Sequence, residues 1–141
     1  MKLRLLDTDT FSLYGRGHPQ VVARFEALLM SEVAVSIITV EEQILGWHDL
    51  ARRAKRPQDV AEAYRLMTET VTRLVRVPVL PFTEAAVRRF EALRAAKLNV
   101  GSQDLRIAGI ALEYDVVVVT RNRRDFERVP GLDCEDWTEP R

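Results

Sequence analysis

Four consecutive valines, Val116 to Val119, stand between Asp115 and Thr120, and no other feature of the 141-residue chain restricts its fold as much. β-branched residues at every position favour an extended strand over a helix. A strand that is apolar on both faces has to be covered on both, which points to a parallel sheet sandwiched between helices. Three further runs have the same character: Leu3 to Leu6, apolar except for Arg4, Val33 to Ile37, and Val77 to Leu80. A last strand is expected around Asp133 and Cys134.

The segments between these runs have helical spacing. After a short helical turn from about Thr10 and a break at Gly15 to Pro19, residues 20–30 place Val21, Val22, Phe25, Leu28 and Leu29 on one stripe. Further helices are predicted over 39–54, from Pro57 to about 75, over 84–97 after Thr83, and over 103–114. The alternation of strands and helices predicts an α/β fold: one three-layer α/β/α domain over 1–141 with a parallel sheet of four or five strands. No repeat, low-complexity stretch or linker interrupts it.

Composition narrows the function classes. No apolar stretch approaches the roughly 20 residues that cross a bilayer, and no signal-peptide core is present, so the expected location is the cytoplasm. The single cysteine, Cys134, fits a reducing compartment and reads as a small hydrophobe near the last strand. Acidic and basic residues balance at 21 each, so no global field advertises nucleic acid. The basic residues are nearly all arginine, however, and cluster at 52–56, 88–89 and 121–124.

Ligands of such folds collect at the carboxyl ends of the strands, and four acids belong to that edge. Asp7 ends the first strand, Glu42 opens the helix after the second, Asp104 opens the helix before the fourth, and Asp125 follows the fourth. Each has a structural reading by itself: Thr39 and Glu42 have capping-box spacing, Asp104 complements a helix dipole, and Asn122 and Asp125 cap a turn. Together they would repel one another unless a cation neutralised them. Without histidine or cysteine, the donor set favours Mg²⁺, with Mn²⁺ as a substitute, over zinc. His18, at the start of a loop, and His48, on a helix, lack ligand spacing.

Two families share parts of this pattern. "DTDTF", residues 7–11, resembles the signature of haloacid-dehalogenase-type phosphatases, which would make Asp7 a nucleophile and Asp9 its acid. The resemblance fails at Phe11, in the order of Thr120 and Asp104, and in the lack of a suitably placed lysine between them.

The second resemblance spans nearly the whole chain. "LLDTDTF", "SIITVEEQILGW" and "NVGSQDLRIAGIALEYDVVVVTRNRRDFERVPGLDCEDW" are similar to PIN-domain ribonucleases of the VapC toxin type. The matches are Asp7; Thr39, Glu42 and Gly46; Gly101, Asp104, Ile107 and Ala108; Thr120, Asn122, Asp125 and Phe126; Val129 to Leu132; and Asp136 with Trp137. The departure is Asp9, where the family usually has asparagine.

The resemblance implies a Mg²⁺-dependent endoribonuclease, toxin of a type II toxin–antitoxin pair, with RNA as substrate, a small antitoxin as partner and a homodimer as assembly. It makes Asp7, Glu42, Asp104 and Asp125 the catalytic acids, Asp7 and Asp104 holding the metal with Glu42 and Asp125 in support. Asp9, Thr120 and Asn122 would orient ligands or water, and Arg121, Arg123 and Arg124 would hold the RNA backbone. Thr8 and Thr10 are read as shaping the turn. Trp47 and Tyr64, on the two helices between the second and third strands, are candidate partner contacts. The alternative from another class is a catalytically silent PIN-like module that binds RNA or a partner.

Overall fold

The protein is described by a computed structural model covering residues 2–140. The chain runs β1 (Arg4–Leu6), α1 (Thr8–Gly15), α2 (Pro19–Glu26), a 3-10 turn (Met30–Glu32) and β2 (Val33–Ser36). It continues through α3 (Ile37–Arg53), α4 (Pro57–Leu74), β3 (Val79–Leu80), α5 (Glu84–Ala95), α6 (Ser102–Tyr114), β4 (Val117–Val119), α7 (Arg123–Phe126) and β5 (Cys134–Glu135). The sheet has five strands, all parallel, in the order β3-β2-β1-β4-β5.

Strand register explains why the runs are apolar throughout. Leu5 pairs with Ala34 on one side and Val118 on the other, and these three point into a core closed by α5 and α6 through Phe90, Ile107 and Ile110. Their neighbours Leu6, Val35 and Val119 point the opposite way, into a second core with Phe11, Val21, Phe25 and Trp137. Each face is therefore buried, and a fully buried Leu or Val contributes about 1.5–3 kcal/mol. Gly109 sets the closeness of α5 and α6, because a Cβ there would lie 2.8 Å from the carbonyl oxygen of Ala86.

Helix boundaries differ from the sequence expectation where a side chain supplies the cap. Asp7 accepts from the Thr10 amide at 2.8 Å, so α1 is a full helix starting at Thr8 and not a turn from Thr10. Ser36 accepts from the Thr39 amide at 3.3 Å, which moves Ile37 out of β2 and starts α3 two residues early. Thr39 is thus inside the helix, and its capping box with Glu42 does not form. Glu42, left without a capping role, is free for the strand edge. His18 caps α2 instead of starting a loop, its Nδ1 accepting from the Val21 amide at 3.4 Å.

Candidate active site

Strand order locates the crevice. β1 lies between β2 and β4, so the connections leaving its carboxyl end and that of β4 diverge and open a gap there. Asp7 follows β1 and Thr120 follows β4, which sets both at the gap. The resulting cleft holds about 540 Å³ and is lined by Asp7, Asp9, Glu42, Asp104, Arg121 and Asn122, with Thr8.

Asp7 is 5% exposed. Burial pushes its carboxyl pKa up, while hydrogen bonds from Thr120 and Thr10 oppose the rise. Thr10 is anchored in turn, its hydroxyl donating to the Val119 carbonyl at 3.1 Å. Asp104, in the first turn of α6, comes from the other side of the sheet. Its pKa is pushed up to about 6 by burial and by the negative charges of Asp7 and Glu42, with Asp125 adding to the rise and a hydrogen bond from Asn122 opposing it. Glu42 is positioned by Thr8, whose hydroxyl donates to Oε1 at 2.7 Å and lies 3.0 Å from the Thr39 hydroxyl.

The remaining candidates divide. Asp125 is set one step back, accepting from the Asn122 side-chain Nδ2 at 2.8 Å and from Arg128 at 3.2 Å. Asn122 thereby links it to Asp104, and the Thr120 hydroxyl fixes the Asn122 backbone by accepting its N–H at 2.8 Å. Asp9 is gripped by Arg121 through two bonds of 2.8 and 2.9 Å, so the acid that gave the phosphatase reading is committed to a cation. Arg123 pairs with Glu127 at 3.2 Å, and it and Arg124 are exposed outside the cleft wall. Cys134, half-buried in β5, has its thiol pKa pushed up by burial, as suits a packing residue. Among the described residues, no three acids converge tightly enough to enclose a metal by themselves.

Thr8 escaped the sequence reading, which gave it a turn role, although it connects the end of β1 to both Thr39 and Glu42. A hydroxyl following a strand-ending acid has no periodic signature; only the packing of α3 against α1 reveals it. Thr39 carried a motif match, and its complete burial explains why a small hydroxyl residue stands there.

Comparison with known proteins gives the same fold. Residues 4–132 match the PIN domain family. The chain is 33% identical over 138 residues to the tRNA(fMet)-specific endonuclease VapC of Salmonella typhimurium, covering 94% of this chain and 96% of the relative. It is 29% identical over 140 residues to ribonuclease VapC1 of Haemophilus influenzae, covering 95% and 97%. The structure of DNA-bound VapBC from Salmonella typhimurium superposes with a TM-score of 0.79 at 32% identity, covering 97% of this chain and 99% of that one. This chain belongs to the PIN domain family and is of the VapC type.

Proposed function

We propose that this protein is a Mg²⁺-dependent endoribonuclease, the toxin of a type II toxin–antitoxin pair, with RNA as substrate and a small antitoxin and a second copy of itself as partners. The observation that carries the reading is the meeting of a buried Asp7 with the half-buried Asp104 and Glu42 in one cleft at the strand edge, and the resulting rise of the Asp104 pKa to about 6. Negative charge gathered without a cation in the same wall, apart from Arg121 held by Asp9, is electrostatically unfavourable until a cation joins it.

The donors fit magnesium. Mg²⁺ keeps several waters and takes one or two carboxylates plus substrate phosphate oxygens, so an open acidic wall suits it better than a closed cage. Asp7 and Asp104 would hold it, with Glu42 in support. Bound there, it supplies a Lewis acid that polarises the phosphodiester and makes a coordinated water more acidic. The chain's own residues orient this chemistry. Thr8 holds Glu42 toward the cleft, and Thr120 and Asp125 fix Asn122, which in turn orients Asp104. In the hydrolysis itself a water oxygen bonds to phosphorus as one ester P–O bond breaks, and the departing oxygen takes up a proton.

Cleavage of RNA measured with Mg²⁺, with EDTA, and for Asp7→Ala and Asp104→Ala tests the reading. Expected are activity only with the metal and a loss of about 10³-fold in either variant, the order found when a charge-stabilising group is removed. Activity indifferent to chelation and to both substitutions overturns it.

A further inference from the structure

A second cavity, of about 390 Å³, lies between α1, α3 and α4 and adjoins the acidic cleft, with Glu42 in the wall of both. Arg16, Arg53 and Arg73 line it together with Trp47. The other acid in its wall, Glu69, is already engaged by Arg65, so the surface facing the space is cationic.

Arg73 is the unusual residue. Its guanidinium lies flat against Gly15, where an added Cβ would come within 2.9 Å of Nη2. Its Nε is buried and has no hydrogen-bond partner among the described residues, and Nη2 is 3.5 Å from the Thr70 hydroxyl. A buried donor left unmet is unfavourable, and the planar fork it belongs to matches phosphate oxygens in two-point contact. Trp47 is fixed beside it, its indole N–H donating to the Thr70 hydroxyl at 2.8 Å. An immobilised aromatic ring in a cationic wall is the combination that holds single-stranded nucleic acid, one group for the backbone and one for a base.

We propose that the cavity between α1, α3 and α4 is a subsite for single-stranded RNA, in which Arg73, with Arg16 and Arg53, takes a backbone phosphate and an unpaired base stacks on Trp47. The inference rests on the RNA-cleaving reading of the adjoining cleft. An acidic protein segment could also satisfy a guanidinium; continuity with the acidic cleft through Glu42 favours RNA, because a strand with one phosphate bound through a cation at Asp7 and Asp104 would lay its neighbours along an adjoining wall.

The test has a binding arm and a cleavage arm. Binding of a fluorescent, mixed-sequence single-stranded RNA of about 12 nucleotides, the length scale of one single-strand-binding module, is measured in EDTA for the unaltered protein and for Arg73→Gln, Trp47→Leu and the double variant Arg16→Gln/Arg53→Gln. Each single variant is expected to bind about tenfold more weakly, in line with the loss of one stacking or charged contact, and the double variant at least as weakly because it loses two. The double variant changes only exposed side chains, so it stays informative if Arg73→Gln does not fold. The cleavage arm compares this RNA with a dinucleotide too short to reach the cavity: the preference of the unaltered protein for the longer substrate should collapse in the variants. Unchanged binding in all three overturns the inference, and loss of antitoxin binding alongside it would assign the cavity to a carboxylate of that protein. An unaltered protein that cleaves neither substrate overturns the nuclease reading, and weakened binding in the variants would still support the subsite.

Discussion

The acidic cleft and the arginine cavity share a wall at Glu42 but are built by opposite logic. The cleft draws Asp7, Glu42 and Asp104 from elements far apart in sequence and leaves their charges in mutual repulsion. The cavity is cut mainly from the α3–α4 hairpin and leaves a donor, the Arg73 Nε, without an acceptor. One surface carries an excess of acids and its neighbour a cationic donor without an acceptor, and a phosphodiester strand accompanied by a divalent metal answers both. Stability given up at a site for its ligand's sake should be recoverable by mutation.

The most severe way to break this contrast is Asp104→Asn. Cleavage should fall about 10³-fold, as for other charge-stabilising groups, yet the metal-free protein should melt a few degrees higher, because a repelling charge is gone and the shape is kept. A lower melting temperature in EDTA would mean that Asp104 serves the fold and not the site.

Acidity separates the two regions next. Burial and like charges raise the Asp104 pKa to about 6 in the native state, and burial raises that of Asp7. Between the ordinary carboxylate value and 6 the folded protein therefore binds more protons than the unfolded chain. This contribution to metal-free stability is fully present below the ordinary value and is lost as pH rises through about 6. Mg²⁺ competes with those protons, so its affinity should drop about tenfold per pH unit below 6, the limit for displacing one proton. Melting curves against pH, in EDTA and in Mg²⁺, should diverge above pH 6. Parallel curves would remove the metal from the argument.

Thr8→Val probes the link between the cleft and the helix that both regions share. The substitution keeps the shape and removes the donor to Glu42, and losses of 10–100-fold in metal affinity are the usual scale for a group that orients a ligand. Isothermal titration with Mg²⁺ measures it. An unchanged affinity would show that Glu42 needs no help to face the cleft.

Much of this arrangement is legible in the amino-acid sequence itself. The valine run and its three companions implied a sheet covered on both faces, and the two cores around Leu5 and Leu6 are that coverage. Asp7, Glu42 and Asp104 were legible because each sits at the end of a periodic segment, where direction follows from periodicity. What periodicity does not encode is which side chain reaches across to another element. Thr8 touching Glu42, Asp125 acting through Asn122, and Arg73 lying on Gly15 all depend on the angle at which helices meet. The boundaries of α1 and α3 shifted for the related reason that Asp7 and Ser36 each accept an amide three residues on.

The smallest expected effect belongs to Asp9, the cleft acid that Arg121 grips. Its bidentate pair with Arg121 is about half exposed on both sides, and exposed pairs contribute roughly 0–1 kcal/mol, so Asp9→Asn should barely move the melting temperature. Its consequence lies in what Arg121 does next. With the carboxylate removed, the guanidinium at the cleft mouth is free to meet a phosphate, adding one contact to the RNA interface. For a single strand each such contact steepens the fall of log affinity with log salt by about 0.7, so the variant should bind RNA more tightly at low salt and lose that advantage as salt rises. Affinity measured across a salt series distinguishes this from a metal-ligand role, in which the variant would bind Mg²⁺ more weakly and leave the salt slope where it was. Asp9 would then be a restraint on Arg121, holding in reserve a cation that already lines the acidic cleft.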